Sequence, residues 1–179
     1  MTKGEAAGHG LLTLVLGGAR SCKSRYAESL IEGLPPPRVY VATAEAGDAE
    51  MAERIALHRA RRAAGWQTIE APHDLAGALA TAPAGASVLI DCLTLWLSNR
   101  MLAEADMDRE IDALEAALAG YAGALVLVAN EVGLSIVPDN ALARRFRDLQ
   151  GTLNQRIAAQ ASRVVLMVAG LPLIVKGPS

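Results

Sequence analysis

Gly17-Gly18-Ala19-Arg20-Ser21-Cys22-Lys23-Ser24 follows directly on the apolar run Leu11-Leu12-Thr13-Leu14-Val15-Leu16. The pair reads as a strand feeding a phosphate-binding loop. The Walker A pattern asks for Gly, four residues, Gly, Lys, then Ser or Thr. Gly17, Lys23 and Ser24 meet it, and Cys22 takes the place of the second glycine. Such a loop works because successive backbone N–H groups face one concavity at the positive end of the next helix. Lys23 is expected to reach the terminal phosphates, and the Ser24 hydroxyl to ligate Mg²⁺. The stretch Ser24–Ile31 suits the helix that must follow. The second glycine often needs a left-handed backbone, which a Cβ disfavours by about 1 kcal/mol or a little more. The competing reading is a glycine-rich turn that binds nothing.

Outward from the loop, short β-rich runs alternate with Ala-rich helical stretches. Strands are expected at Leu12–Leu16, Arg38–Ala42, Gln67–Glu70, Ser87–Ile90, Leu125–Ala129, Val164–Val168 and Leu173–Val175. Helices are expected over 23–33, 48–63, 73–80, 107–119 and 140–161. Leu142, Phe146, Leu149, Leu153 and Ile157 recur at steps of three and four, one face of a long amphipathic helix. Asp139 or Asn140, after Pro138, suits its N-cap. Val88-Leu89-Ile90 and Leu125–Val128 are apolar on both faces, as in a parallel sheet covered by helices. The expected fold is an α/β three-layer, P-loop NTPase-like sandwich with a mostly parallel central sheet. Residues 1–10 read as a loose polar tail and 11–179 as a single nucleotide-binding catalytic domain.

The chain has 179 residues and a formal net charge of −2, with no Lys/Arg run of the kind that marks a nucleic-acid binder. Aromatics make up only 3%, so the core must be aliphatic. No apolar stretch reaches the roughly 18 residues needed to span a bilayer. The start lacks a signal-peptide pattern, and the chain's two cysteines, Cys22 and Cys92, lack metal-type spacing. A reducing cytoplasm is the expected location.

In an open parallel sheet, ligands bind beyond the carboxyl ends of the strands. That nominates the phosphate loop, Thr43-Ala44-Glu45, Glu70-Ala71, Asp91-Cys92 and Asn130-Glu131-Val132-Gly133. Ser87-Val88-Leu89-Ile90-Asp91 has the Walker B form, whose acid completes the Mg²⁺ shell. Arg54-Ile55-Ala56-Leu57-His58-Arg59-Ala60-Arg61-Arg62 sets His58 one helical turn after Arg54, with more arginines behind it. This is either a solvated basic helix end or a nucleophilic imidazole beside an anionic substrate, whose oxygens the arginines hold. Glu70 and Glu131 each end a strand. Each could accept from a guanine edge, a ribose hydroxyl or a substrate hydroxyl, or simply cap a helix. His9 and His73 read as surface residues.

The order of these blocks resembles the bifunctional adenosylcobinamide kinase / adenosylcobinamide-phosphate guanylyltransferase family. The resemblance runs from about residue 11 to the C-terminus. It is carried by Gly17 to Ser24, Tyr40-Val41-Ala42-Thr43-Ala44, Glu50-Met51, Arg54-Ile55, His58, Arg62, Trp66 and Glu70. Asp91-Cys92-Leu93-Thr94 and Trp96-Leu97-Ser98-Asn99 continue it. Asn130-Glu131-Val132-Gly133, Ile136-Val137-Pro138, Arg144 to Asp148, Gly151, Asn154-Gln155 and Lys176 complete it. The resemblance implies that a nucleoside triphosphate, ATP or GTP, phosphorylates the aminopropanol hydroxyl of adenosylcobinamide. GTP then transfers GMP to adenosylcobinamide phosphate, giving adenosylcobinamide-GDP and pyrophosphate. It implies His58 as the carrier of GMP in a phosphoramidate. The phosphate loop, Ala42–Ala44, Arg59–Arg62, Glu70 and Asp91 would line the nucleotide site, with Mg²⁺ at Ser24 and Asp91. It also suggests a homo-oligomer, with a trimer as the expected form.

Two other classes stay open from the residues. One is a single-activity P-loop kinase for another small metabolite, which leaves His58 without a covalent role. The other is a nucleotide-binding, non-catalytic relative weakened by Cys22. A Cys22–Cys92 disulfide across the nucleotide site is weighed against two unconnected reduced thiols. It assumes that the Walker B strand neighbours the phosphate-loop strand and needs Cα atoms within about 7 Å.

Overall fold

The computed structural model describes residues 11–45, 47, 53 and 65–178. Their elements are β1 (Leu12–Gly17), α1 (Lys23–Glu32), β2 (Arg38–Ala42), β3 (Trp66–Glu70), α2 (Leu75–Thr81), β4 (Ser87–Asp91), α3 (Leu93–Leu102), α4 (Met107–Gly120), β5 (Leu125–Asn130), α5 (Ala141–Gln160), β6 (Arg163–Val168) and β7 (Leu171–Lys176). The expected helix over 48–63 lies almost wholly outside the described residues.

One seven-stranded sheet runs in the order β3-β2-β4-β5-β1-β6-β7. All pairs are parallel except β6–β7. That last pair is a hairpin whose two turn residues, Ala169 and Gly170, have φ of 52° and 81°. Paired positive φ values match the right-handed twist of the flanking strands.

Because successive side chains of a strand point to opposite faces, neighbours in β1 serve different cores. Leu14 packs with Val41, Ile90, Leu127, Trp96, Leu114, Leu153 and Ile157 on the face that α2 to α5 cover. Val15 packs with Ala27, Ile31, Leu89, Val128 and Val165 on the face that α1 covers. Leu14, Val15, Leu89 and Ile90 are all fully buried, as the two-sided apolar pattern requires. The result is the expected mostly parallel α/β sandwich.

Two local expectations need correction. The expected helices leave out 93–102, yet this stretch is α3, with Trp96 and Leu97 buried. It carries apolar side chains nearly all round, so it lacks the polar face that marks a surface helix. Second, the phosphate-loop strand β1 and the Walker B strand β4 are not neighbours; β5 lies between them. The long amphipathic helix is found as expected in α5, where Phe146, Leu149, Leu153 and Ile157 pack on the core. Leu153 and Ile157 are fully buried, whereas Leu142 is 57% exposed. The cap of α5 is Asn140, whose side chain accepts from the Ala143 N–H at 2.7 Å.

Candidate active site

The carboxyl ends of five adjacent strands form the rim of the site. In register across the sheet, Glu70 pairs with Ala42 and Ala42 with Asp91. On the other side of β5, Gly17 pairs with Asn130. With strands about 4.8 Å apart, Glu70 at the β3 edge lies roughly 19 Å across the sheet from the phosphate loop. The described candidates therefore form two clusters, one at the loop and one on the β3-β2-β4 rim, which Lys23 and Asp91 connect.

At the loop, Cys22 is the residue before α1 and takes φ 68° and ψ 15°. This is the left-handed conformation expected of the Walker glycine, held here by a side chain with a Cβ. Arg20 also has positive φ, at 55°. Gly17 is needed for room: a Cβ there would lie 2.5 Å from Ser21 Oγ and 3.0 Å from the Met167 carbonyl oxygen. The Ser21 hydroxyl is buried and has no hydrogen-bond partner among the described residues. Lys23 Nζ donates to the Gly18 carbonyl at 3.0 Å, across the loop. Burial lowers the Lys23 pKa below its ordinary value, while the charge of the nearby Asp91 carboxylate acts to raise it. Ser24 follows in the first turn of α1.

At the rim, Tyr40 donates its phenolic proton to Asp91 Oδ2 at 2.8 Å. Thr43 is fully buried. Its hydroxyl donates to the Cys92 carbonyl at 2.8 Å and accepts from the Cys92 N–H at 2.7 Å. The backbone after β2 is thereby tied to the backbone after β4. Asn99 of α3 donates to the Thr43 carbonyl at 2.9 Å and to the Pro72 carbonyl at 3.0 Å. Trp96 Nε1 donates to the His73 carbonyl at 3.0 Å. His73 is partly exposed as expected, and Nε2 lies 3.1 Å from Glu45 Oε1. Tyr40, Asn99 and Trp96 were absent from the expected site set. Their signal lay in the Tyr40–Ala44 and Asp91–Asn99 blocks, where polar residues sit among apolar ones beside strand ends.

Both cysteines are free. Cys22 is exposed, and its Sγ lies 3.9 Å from the position a Cβ would take on Gly170, in the β6–β7 turn. Cys92 is buried, and that burial, then the Asp91 charge, pushes its thiol up to about 12. With β5 between β1 and β4 and Cys22 turned toward β6–β7, the geometry removes the support for a Cys22–Cys92 pair.

An open cleft of about 630 Å³ lies beside the loop, bounded by Gly18–Ser21, by Glu131, Val132, Leu134 and Ser135, and by the end of β6. Glu131 belongs to it. Its N–H donates to the Gly17 carbonyl at 3.1 Å, and its Oε1 accepts from the Gly133 N–H at 2.7 Å. His58, Arg59, Ala60, Arg61 and Arg62 belong to the stretch between β2 and β3 and lie outside the described residues, as does His9.

The family model described as cobinamide kinase / cobinamide phosphate guanyltransferase matches residues 13–175. The chain is 50% identical to the bifunctional adenosylcobalamin biosynthesis protein CobP of Pseudomonas aeruginosa, covering 92% of this chain and 96% of that one. It is 42% identical to the bifunctional adenosylcobalamin biosynthesis protein CobU of Salmonella typhimurium, covering 93% and 100%. Among solved structures, a Pyrococcus horikoshii protein aligns with TM-score 0.56 at 9% identity, over 96% of this chain and 89% of its own. A solved ATPase domain aligns with TM-score 0.51 at 12% identity, over 95% and 78%. At such identities these two likenesses bear on the fold alone.

Proposed function

The chain belongs to the cobinamide kinase / cobinamide phosphate guanyltransferase family, and from that premise we propose that it carries out two successive transfers. In the first, a nucleoside triphosphate phosphorylates the aminopropanol hydroxyl of adenosylcobinamide. In the second, GMP passes from GTP to adenosylcobinamide phosphate, giving adenosylcobinamide-GDP and pyrophosphate. The observation that carries this reading is the strand–loop–helix at Gly17–Ser24, with the half-buried Lys23 ammonium within reach of the Asp91 charge.

In this proposal the loop amides and the unpartnered Ser21 hydroxyl hold phosphate oxygens, and Lys23 meets their charge. Ser24 and Asp91 are hard oxygen donors. They are the small protein share that Mg²⁺ takes when phosphates complete its shell. Tyr40 holds Asp91 by one oxygen, and the carboxylate can still accept elsewhere. Bound Mg²⁺ would offset charge on the phosphate oxygens. Ala42, Thr43, Ala44 and Glu70, on the distant rim, are assigned to the nucleoside end. Arg59, Ala60, Arg61 and Arg62 are assigned to the transferring phosphate.

His58 is assigned as the GMP carrier. One imidazole nitrogen forms a bond to the α-phosphorus of GTP while the bond to the bridging oxygen breaks, and pyrophosphate leaves. An oxygen of the acceptor phosphate then attacks the same phosphorus, and the N–P bond breaks. The arginines offset the charge that builds on the oxygens. The assignment rests on the position of His58 in the family's block order and on its arginine neighbours in sequence.

Incubation with α-labelled GTP tests it. The expected result is acid-labile, base-stable label on the protein that His58→Ala abolishes. Label retained by His58→Ala would overturn the assignment. A homo-oligomer, with three copies as the expected number, belongs to the same proposal. The exposed Ile136 (93%) and Val137 (62%) leave apolar surface for such contacts.

A further inference from the structure

We propose that the cleft beside the phosphate loop receives the acceptor alcohol of the kinase step and that Glu131 is the base that takes its proton; this rests on the two-step reading above. Glu131 follows β5, which stands between the phosphate-loop strand and the Walker B strand. Its backbone is pinned to the first residue of the loop by the bond to the Gly17 carbonyl. Its Oε1 is held by the Gly133 N–H, while Oε2 makes no hydrogen bond among the described residues. Among the described residues that line the cleft, Glu131 is the only carboxylate. Asp91 is the nearest rival, but it does not line the cleft, and its Oδ2 already accepts from Tyr40. Leu134 and Val168, both well exposed, edge the cleft and offer apolar contact to the body of a bulky alcohol.

In the step, the carboxylate takes the hydroxyl proton as the alcohol oxygen forms its bond to the γ-phosphorus. The bond between that phosphorus and the β,γ-bridging oxygen breaks. The nucleoside diphosphate leaves with the electron pair, and Lys23 offsets its charge. The second reaction needs no such base. Its acceptor is a phosphate oxygen that already carries negative charge. Glu131 therefore serves one of the two activities, which separates this role from a general support of the loop.

Glu131→Gln keeps a side-chain carbonyl oxygen for the Gly133 N–H and removes the base. Turnover of adenosylcobinamide by the parent chain, measured first, tests the underlying reading separately. For Glu131→Gln, phosphorylation of adenosylcobinamide should fall about a hundredfold or more. Guanylyl transfer to preformed adenosylcobinamide phosphate should persist, and Glu131→Asp should recover part of the kinase rate. Equal loss of both activities would assign Glu131 to holding the loop and overturn the proposal. An undiminished kinase rate would overturn it as well.

Discussion

Cys22 holds a left-handed backbone, φ 68°, where a glycine would hold it without strain. That conformation costs a residue with a Cβ about 1–2 kcal/mol, part of which glycine gives back through its freer unfolded chain. Cys22→Gly should therefore gain about 0.5–1 kcal/mol in a urea titration and bind Mg²⁺-GTP modestly more tightly. Equal stability and equal affinity would refute the strain argument. The two thiols differ in access. Cys92 stays protonated up to about pH 12, mainly through burial, whereas Cys22 is exposed. Iodoacetamide at mildly alkaline pH should label Cys22 and spare Cys92, and Mg²⁺-GTP should protect Cys22; label on Cys92 would contradict the burial. Linkage gives this thiol a sign. Between its unfolded value of 9.0 and about 12, the folded chain keeps a proton that the unfolded chain releases, so this group's contribution falls as pH rises. Lys23 runs the other way. Its folded pKa lies below 10.5, so in that interval the unfolded chain binds more protons and the contribution rises with pH. Bound phosphates should restore the Lys23 charge, so nucleotide binding in the same interval should take up protons. Lys23→Ala should weaken binding by about 1.5–3 kcal/mol, ten- to a hundredfold. Calorimetry reads both effects, and unchanged affinity would remove Lys23 from the site.

α3 is the element that holds the rim together. Asn99 ties the backbone after β2 to Pro72, beyond β3, while Thr43 joins the backbone after β2 to that after β4. Thr43→Val keeps the shape and strips both bonds from buried Cys92 backbone groups. It should cost about 1–3 kcal/mol of stability, read as a lower urea midpoint with unchanged slope. An unchanged midpoint would show that water replaces the hydroxyl. This network was poorly legible in the sequence. The strands, the phosphate loop and α5 announce themselves by apolar runs, glycine and period. α3 does not, because buried helices lose the polar face on which periodicity depends. Tyr40 and Asn99 gain their meaning only from partners 51 and 56 residues away. Glu131 was visible as a carboxylate at a strand end, but its company in the cleft depends on which strands are neighbours. The order β4-β5-β1 is set by crossover connections, so a reading strand by strand put β4 next to β1.

For the whole molecule, the sheet spreads the candidate groups along its carboxyl edge. This suits a substrate with phosphates at one end and a base at the other. Among the described residues, no helix is long and apolar enough to cross a membrane. The exposed edge strand β7, with Leu171 at 70% and Val175 at 62%, adds to the apolar surface outside the sheet. Sedimentation should find a particle of three times the 18.7 kDa chain mass, and a monomer at micromolar concentration would contradict the oligomer proposal. In the proposed reading, one chain performs two transfers in sequence on one acceptor. The most direct measurement of this is mass spectrometry of adenosylcobinamide incubated with the purified chain, GTP and Mg²⁺. Adenosylcobinamide phosphate should appear first and decline as adenosylcobinamide-GDP accumulates with release of pyrophosphate. Accumulation of the phosphate alone, or no conversion of adenosylcobinamide, would exclude the two-transfer activity.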